Sequence, residues 1–257
     1  MYKQEQQAPL VSVIMPAYNA EEFIEEAISS VLAQSESDLE LIVIDDCSSD
    51  DTRKIIKEFA ERDGRVRLVV NEHNMGVAKT RNRGLDLFRG DYVALLDSDD
   101  YWEPNMLEKM ITCARETGAD ITYCSYAIVD EQGRKLCNDF LVPAATSFRE
   151  SIVRSVITCS TVLLTARLAK NNRFPTNMYH EDIALWFQIL RDGGKARGVP
   201  EVLAAYRQRA NSRASNKLTC AVRRWPIYRK HLKLPAVQCV WLMIRYAYYG
   251  VLKFRRI

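Results

Sequence analysis

The chain has 257 residues, 47% of them hydrophobic and 27% charged, which suits one substantial globular domain with an appendage. Its opening, MYKQEQQAPL, has no apolar core, so no secretory leader is expected. Seven scattered cysteines without a CxxC pair, and three histidines without metal-ligand spacing, predict reduced thiols and argue against a zinc enzyme. Leu10–Met15 reads as a strand, followed by a helix over Ala20–Gln34 with Phe23, Ala27, Ile28, Val31 and Leu32 on one face. Leu39–Asp45 is a second strand, Thr52–Arg62 a helix capped by Ser49 or Asp50, and Val66–Val70 a third strand. A helix over Gly76–Phe88, a fourth strand over Tyr92–Leu96 and a helix over Met106–Thr117 complete the first half. Alternation of helices with nearly all-apolar strands predicts a parallel sheet covered on both faces.

After Asp120 the pattern changes. Ile121–Val129 is a strand, Gly133 a turn and Phe140–Phe148 an irregular connection. Ser160–Leu164 is a strand, Glu181–Arg191 a helix and Leu203–Arg207 the last strand. From Asn216 onward the chain reads as helical, broken near Pro226 and Pro235. The expected organisation is a single α/β domain over residues 1–215 and a helical extension over 216–257.

The net charge of +3 conceals an asymmetry. All 33 acidic residues lie at or before Glu201, whereas 13 of the 36 Lys and Arg residues follow it. Aromatic residues are interleaved with these cations, a pattern suited to an anionic membrane surface. Nucleic acid is the competing anion, but no segment resembles a nucleic-acid module, and none is expected as a partner. On a helix from Pro235, residues Val237, Val240, Trp241, Ile244, Tyr248, Val251 and Leu252 share one face. The run is too short to cross about 30 Å of hydrocarbon, so the helix is expected to lie on a membrane. The alternative is that this stripe packs on the preceding domain.

Four polar clusters fall where a doubly wound sheet gathers its strand ends. The first is Pro16, Ala17, Tyr18 and Asn19: Pro16 is expected to stop strand pairing, and Tyr18 offers a flat ring for stacking or is a surface aromatic. The second is Asp45 and Asp46 in IDDCSSDDT, where one carboxylate accepts the imide N–H of a uracil or caps the next helix. The third is Asp97, Ser98, Asp99 and Asp100 in YVALLDSDDYWEP. Its spacing suits a hard divalent cation with room left for phosphate oxygens, or equally a turn that caps the helix near Pro104. The fourth is His180, Glu181 and Asp182, which begin a helix and so either carry chemistry or complement its dipole. No GxxxxGKS or GxGxxG is present, which excludes P-loop and dinucleotide-binding readings. A diphosphate bound without such a loop needs a cation, which the aspartate cluster can hold.

Taken together, VSVIMPAYNAEEFIEEAISSVLAQ, LELIVIDDCSSDDT, GVAKTRNRGLDLFRGDYVALLDSDDYWEP, HEDIALWFQIL and YRQRANSRASNK resemble the family 2 glycosyltransferases over nearly all of Val11–Lys217. The likeness is to non-processive bacterial members that build capsule, lipopolysaccharide or other cell-surface glycans. Processive synthases carry QxxRW and several membrane spans, and this chain has neither. The resemblance implies the GT-A fold: an α/β, Rossmann-like, mostly parallel central sheet with helices on both faces. It implies that Tyr18 and Asp46 hold the nucleotide base within a donor site formed with Pro16, Ala17 and Asn19. It further implies that Asp99 binds Mg²⁺ or Mn²⁺, with Asp97 on the metal's hydration shell or the ribose and Ser98 between them. Asp182 takes the part of catalytic base, and Lys79 and Arg81 match a basic stretch that faces phosphate. The YRQRANSRAS loop departs from the family pattern in its wealth of arginine.

The activity expected on this basis is inverting transfer of a sugar, from UDP in the first instance, to an acceptor hydroxyl on a glycan or lipid-linked glycan. The setting is the cytoplasmic face of the cell membrane. A nucleotidyltransferase is the alternative enzyme, but the segment after Pro16 carries Glu21, Glu22, Glu25 and Glu26 where a triphosphate needs cations. A non-catalytic glycan-binding or scaffold protein is the third reading, against which Asp46, Asp99 and Asp182 argue.

Overall fold

The computed structural model describes residues 8–209 and 217–254. Its first half alternates as the apolar runs predict. Strands β1 (Val11–Ala17), β2 (Leu39–Asp45), β3 (Val66–Val70) and β4 (Tyr92–Leu95) are parallel in the order β3-β2-β1-β4. Helices α1 (Ile24–Leu32), α2 (Thr52–Arg62) and α3 (Val77–Leu87) connect them. Successive residues of β1 enter opposite cores, as the two-residue period of a strand requires. Val13 and Met15 pack with Ile24 and Ile28 of α1, whereas Ile14 packs with Leu85 of α3. Gly84 of α3 faces Ile14 so closely that a Cβ there would strike the Ile14 side chain, which fixes how near the helix lies.

The second half is mixed. After β5 (Tyr101–Trp102) and α4 (Met106–Thr117), β6 (Ile121–Val129) leads to β7 (Ala145–Thr146) and the short α5 (Phe148–Ser151). Strand β8 (Val162–Thr165) inserts antiparallel between β4 and β6. It is followed by α6 (Ala166–Asn171), α7 (Glu181–Arg191) and β9 (Ala196–Arg207), which runs parallel to β6. Strand β9 is longer than the Leu203–Arg207 segment expected from periodicity. Its register against β6 slips between Cys124 and Ser125, opposite Pro200 and Glu201, so the alternation breaks midway. The six cysteines whose side chains are described, Cys47, Cys113, Cys124, Cys137, Cys159 and Cys239, are free thiols.

The C-terminal segment comprises α8 (Lys217–Pro226), a π-helical turn (Ile227–His231) and α9 (Ala236–Phe254). The expected boundary at residue 215 lies outside the described residues. A third apolar cluster joins the segment to α7: Ile227, Tyr228, Leu232, Cys239 and Leu242 pack with Ile152, Val153, Ala184 and Phe187. The Tyr228 hydroxyl also donates to the Ile152 carbonyl at 2.8 Å.

One buried carboxylate ties the parallel half together. Glu40 on β2 accepts from Ser12 Oγ on β1 at 2.6 Å, and from Arg89 N, Nε and Nη2 at 3.0, 3.0 and 2.7 Å. Ser12 Oγ in turn accepts from the Gly90 amide, which anchors the turn into β4. Removing the carboxylate strands a buried hydroxyl, while the half-exposed Arg89 regains water. Glu40→Ala should therefore cost about 2 kcal/mol. A fall in the urea midpoint at unchanged slope would register it, and an unchanged midpoint would refute the tie.

Candidate active site

The carboxyl ends of β1, β2 and β4 lie side by side along one edge of the sheet. Pro16 does not end β1 outright, since Pro16 and Ala17 remain in register with Ile44 and Asp45 of β2. Pairing with β4 stops at Ile14–Leu95, on the side where Pro16 has no N–H to offer, and the two strands part there. Beyond the parting, Tyr18 stands 51% exposed with its ring free for a stacking partner. Asn19 is left-handed (φ 46°) and clips the first strand end to the second. Its amide donates to Ser48 Oγ at 3.0 Å, and its Oδ1 accepts from the Ser49 amide at 2.9 Å.

The aspartates ending β2 are both buried and differently engaged. Asp45 accepts from the Ser48 amide and from Arg53 Nε at 2.7 Å. Asp46 accepts from Asn71 Nδ2, the Met75 amide and the Gly76 amide at 2.7, 2.9 and 2.8 Å. Asp46 thus holds the loop that opens α3 and keeps about one of its four lone-pair sites for a further donor. On α3 itself, Lys79 is exposed and makes no ion pair among the described residues. Arg81, two residues on, is 4% exposed.

Arg81 is where the strand-end and helix-start clusters meet. Its Nη2 contacts Asp97 Oδ1 at 2.5 Å and its Nη1 contacts Glu181 Oε1 at 2.8 Å, with Phe174 beneath the guanidinium. The charge of Arg81 is therefore committed to two carboxylates. Asp182, beside Glu181 in the first turn of α7, is partly exposed. Burial raises its carboxyl above the usual range, and the Arg81 charge opposes that rise.

The third cluster crowds three carboxylates into one turn, and their partners are unevenly shared. Asp100 is buried and accepts from Ser160 Oγ at 2.5 Å and from the Arg207 amide at 2.7 Å. Burial, then repulsion from Asp99 and Asp97, hold its carboxyl well above the ordinary value. Asp99 has one ion-pair partner among the described residues, Arg209 at 3.8 Å. Burial and the Asp97 charge push Asp99 up to about 6. Such a carboxylate gains from a cation. Among the described residues, no group of three or more His, Cys, Asp or Glu side chains is arranged to hold a metal alone. A hard ion that draws one or two carboxylates, water and substrate phosphates fits this donor set.

The sequence profile described as Glycosyl transferase family 2 matches residues 12–136. TuaG of Bacillus subtilis (strain 168), named as a teichuronic acid biosynthesis glycosyltransferase, is 36% identical over 245 residues, or 95% of this chain and 97% of its own. The chain belongs to the family 2 glycosyltransferases. WfgD of Escherichia coli, a UDP-Glc:alpha-D-GlcNAc-diphosphoundecaprenol beta-1,3-glucosyltransferase, is 34% identical over 95% of this chain and 94% of its own. Among solved structures, S. aureus TarS 1-349 in complex with UDP-GlcNAc superposes with a TM-score of 0.74 at 21% identity, over 92% of this chain and 71% of that one. The mannosyltransferase PcManGT of Pyrobaculum calidifontis, in complex with GDP-Man and Mn²⁺, gives 0.65 at 20% identity, over 88% and 64%. At such identity the likeness establishes the fold, which is GT-A.

In this glycosyltransferase, sequence reasoning missed Ser160, Arg209 and the pairing of Arg81. Ser160 Oγ accepts from the Asp97 amide and donates to Asp100, while its carbonyl accepts from Trp102 Nε1. These partners lie some sixty residues away, and no local pattern signals them. The abundance of arginine around Arg209 was legible, but its position beside Asp99 was not.

The raised Asp99 carboxyl carries a signed consequence. Between its ordinary 3.8 and its folded value of about 6, the folded state binds a proton that the unfolded chain releases. Its contribution to stability is present at acid pH and lost as pH rises through 6. Metal-free protein should therefore lose on the order of 1 kcal/mol or more, relative to Asp99→Asn, between pH 5 and 7. Parallel melting curves of the two proteins across that range would contradict this.

Proposed function

We propose that the protein transfers a sugar, with inversion, from a UDP-sugar to a hydroxyl of a lipid-linked glycan during bacterial surface-polysaccharide assembly. The observation that carries this reading is the Arg81 link, which joins the aspartates ending β4 to the first turn of α7. An under-compensated metal-type carboxylate and a raised carboxyl suited to accepting a proton thereby share one crevice. The names of relatives support the donor and acceptor class: WfgD takes its name from UDP-Glc and a diphosphoundecaprenol acceptor. TarS, whose fold is shared, is solved with UDP-GlcNAc.

In this mechanism the base stacks on Tyr18, and its imide N–H donates to the lone pair left on Asp46. Pro16, Ala17 and Asn19 shape the floor, Ser98 and Asp97 border the ribose, and Lys79, which has no ion pair among the described residues, is a cation for phosphate. Asp182 accepts the acceptor's proton as that oxygen attacks the anomeric carbon. One C–O bond forms, the bond to the diphosphate breaks, and UDP departs with the electron pair. A Mg²⁺ or Mn²⁺ ion held by Asp99, with Asp97, would offset the charge developing on UDP. Arg81 keeps Asp97 and Glu181 in place and stops the Asp182 carboxyl from rising too far to act as a base. The acceptor approaches by a cleft in front of α7, lined by Met178, Tyr179 and Arg223, whose guanidinium lies 3.7 Å over the Tyr179 ring.

The protein is placed, in the same reading, on the inner face of the cell membrane. No helix among the described residues is long and apolar enough to cross a bilayer. The stripe Val237, Val240, Trp241 and Ile244 is exposed, and α9 docks on the domain by its opposite face. Tyr248, Val251 and Leu252 of the stripe lie outside the described side chains.

Two substitutions separate binding from chemistry. Asp99→Asn should abolish metal-dependent UDP affinity while melting as a folded protein; affinity insensitive to both the substitution and EDTA would remove the metal from the proposal. Asp182→Asn should bind UDP-sugar normally and lose transfer by roughly 10²-fold or more. Full turnover in Asp182→Asn together with loss in Glu181→Gln would move the base by one residue.

A further inference from the structure

Helix α9 is apolar on two opposite faces. Cys239 and Leu242 are buried against the domain, whereas Val237 is 83% exposed, Ile244 63%, Trp241 51% and Val240 49%. Successive residues of a helix turn by about 100°, which sets these two groups half a turn apart. The buried face accounts for how the helix is held. The exposed face is left uncovered by the described residues, and an apolar stripe on a protein surface marks a contact with something else.

The edge between the two faces carries Arg245, whose guanidinium lies 4.7 Å over the Trp241 ring. Arg245 reaches a cleft of about 320 Å³, which Arg149 of α5 and Arg154 of the following turn also line, with Val153 and Val156 at its apolar side. Neither Arg149 nor Arg154 makes an ion pair with a described residue. The one carboxylate in the lining, Glu150, turns its Oε2 into the cap of α5, where it accepts from the Ser147 amide at 2.8 Å and the Ser147 hydroxyl at 2.7 Å; its charge offsets one of the three cations and leaves the lining positive. Three guanidinium groups thus surround a pocket with an apolar wall, and the exposed stripe begins beside it.

We propose that this cleft takes the phosphate of an anionic lipid headgroup while Val237, Val240, Trp241 and Ile244 enter the membrane interface. The inference rests on the membrane placement above and adds to it a defined headgroup site. The charge balance selects this occupant. Because the chain holds 13 Lys and Arg and no acid after Glu201, pairing this face with a second copy would set cations against cations. An anionic bilayer meets both features together, giving the arginines phosphate and the stripe an apolar boundary. Arginine suits the role, since its planar donors match phosphate oxygens in pairs.

The test is co-sedimentation of the full chain with phosphatidylcholine vesicles, with and without phosphatidylglycerol. Wild type should bind only the anionic vesicles. Arg149→Gln with Arg154→Gln should weaken that binding roughly 30-fold, at the usual worth of two interfacial cations. Both side chains are exposed, so this variant should melt as wild type does. Lys230→Gln with Lys233→Gln removes the same charge from the neighbouring turn and should weaken binding much less. Equal losses in the two pairs, or no loss in the arginine pair, would overturn the headgroup site while leaving membrane placement intact. Wild type that sediments with neither vesicle would overturn the placement and the site with it. Trp241→Ser with Ile244→Ser should lose binding while leaving donor hydrolysis unchanged, and binding undiminished in that variant would remove the stripe from the interface.

Discussion

A buried guanidinium is expensive to keep dry, and carboxylates placed against it offset that cost. Arg81 is offset in this way by Asp97 from the end of β4, 16 residues along the chain from it, and by Glu181 from the start of α7, 100 residues along. Neither carboxylate can withdraw without leaving a buried cation under-compensated. The consequence is geometric. The strand that presents the aspartate cluster and the helix that presents Asp182 are held at one spacing, although they come from the parallel and mixed halves of the sheet. Arg81 also sets the electrostatics of Asp182, which burial raises and the Arg81 charge restrains.

The same logic extends to the neighbours of Arg81. Strand β8 enters antiparallel beside β4, and that insertion brings Ser160 under the aspartate turn. One hydroxyl then accepts from the Asp97 amide and donates to Asp100, so it organises the turn from below. Asp100 is satisfied by this contact and by the Arg207 amide, which leaves Asp99 as the least compensated of the three. Three carboxylates in one turn are thus sorted by their surroundings: one paired with Arg81, one sealed into the core, and one open toward the crevice. Repulsion within the cluster raises both Asp99 and Asp100, and of these two only Asp99 is exposed enough to meet an added cation.

The parallel half was legible because its information is local. Strands such as LELIVID and amphipathic helices announce themselves by period, and their alternation leaves few topologies open. The elements that escaped are short or irregular. Strands β5 and β7 have two residues each, and β9 is interrupted opposite Pro200 and Glu201. Direction escaped too: an apolar run reads alike in either sense, so the antiparallel entry of β8 could not be inferred. In the candidate site, position at strand ends and at one helix start drew attention to Tyr18, the Asp45–Asp46 pair, the Asp97–Asp99 turn and the His180–Asp182 cluster, and the family resemblance chose among them. What the sequence could not convey is division of labour among charges. Arg81 and Lys79 look equivalent in VAKTRNRG, yet they lie on different sides of α3, and one is buried between carboxylates while the other faces water.

Helix α9 shows the limit of periodicity from the other direction. The pattern correctly grouped Val237, Val240, Trp241 and Ile244, but an apolar stripe specifies only that something covers it. The natural guess for a helix beside a domain is that the stripe faces the core. Here a second and less conspicuous set, Cys239 and Leu242, serves that purpose, because Ile227, Tyr228 and Leu232 have already brought the chain against α7. Once the preceding turn fixes the helix's approach, only one face can meet the domain. The more conspicuous stripe is then presented outward by geometry, with Arg245 at its edge.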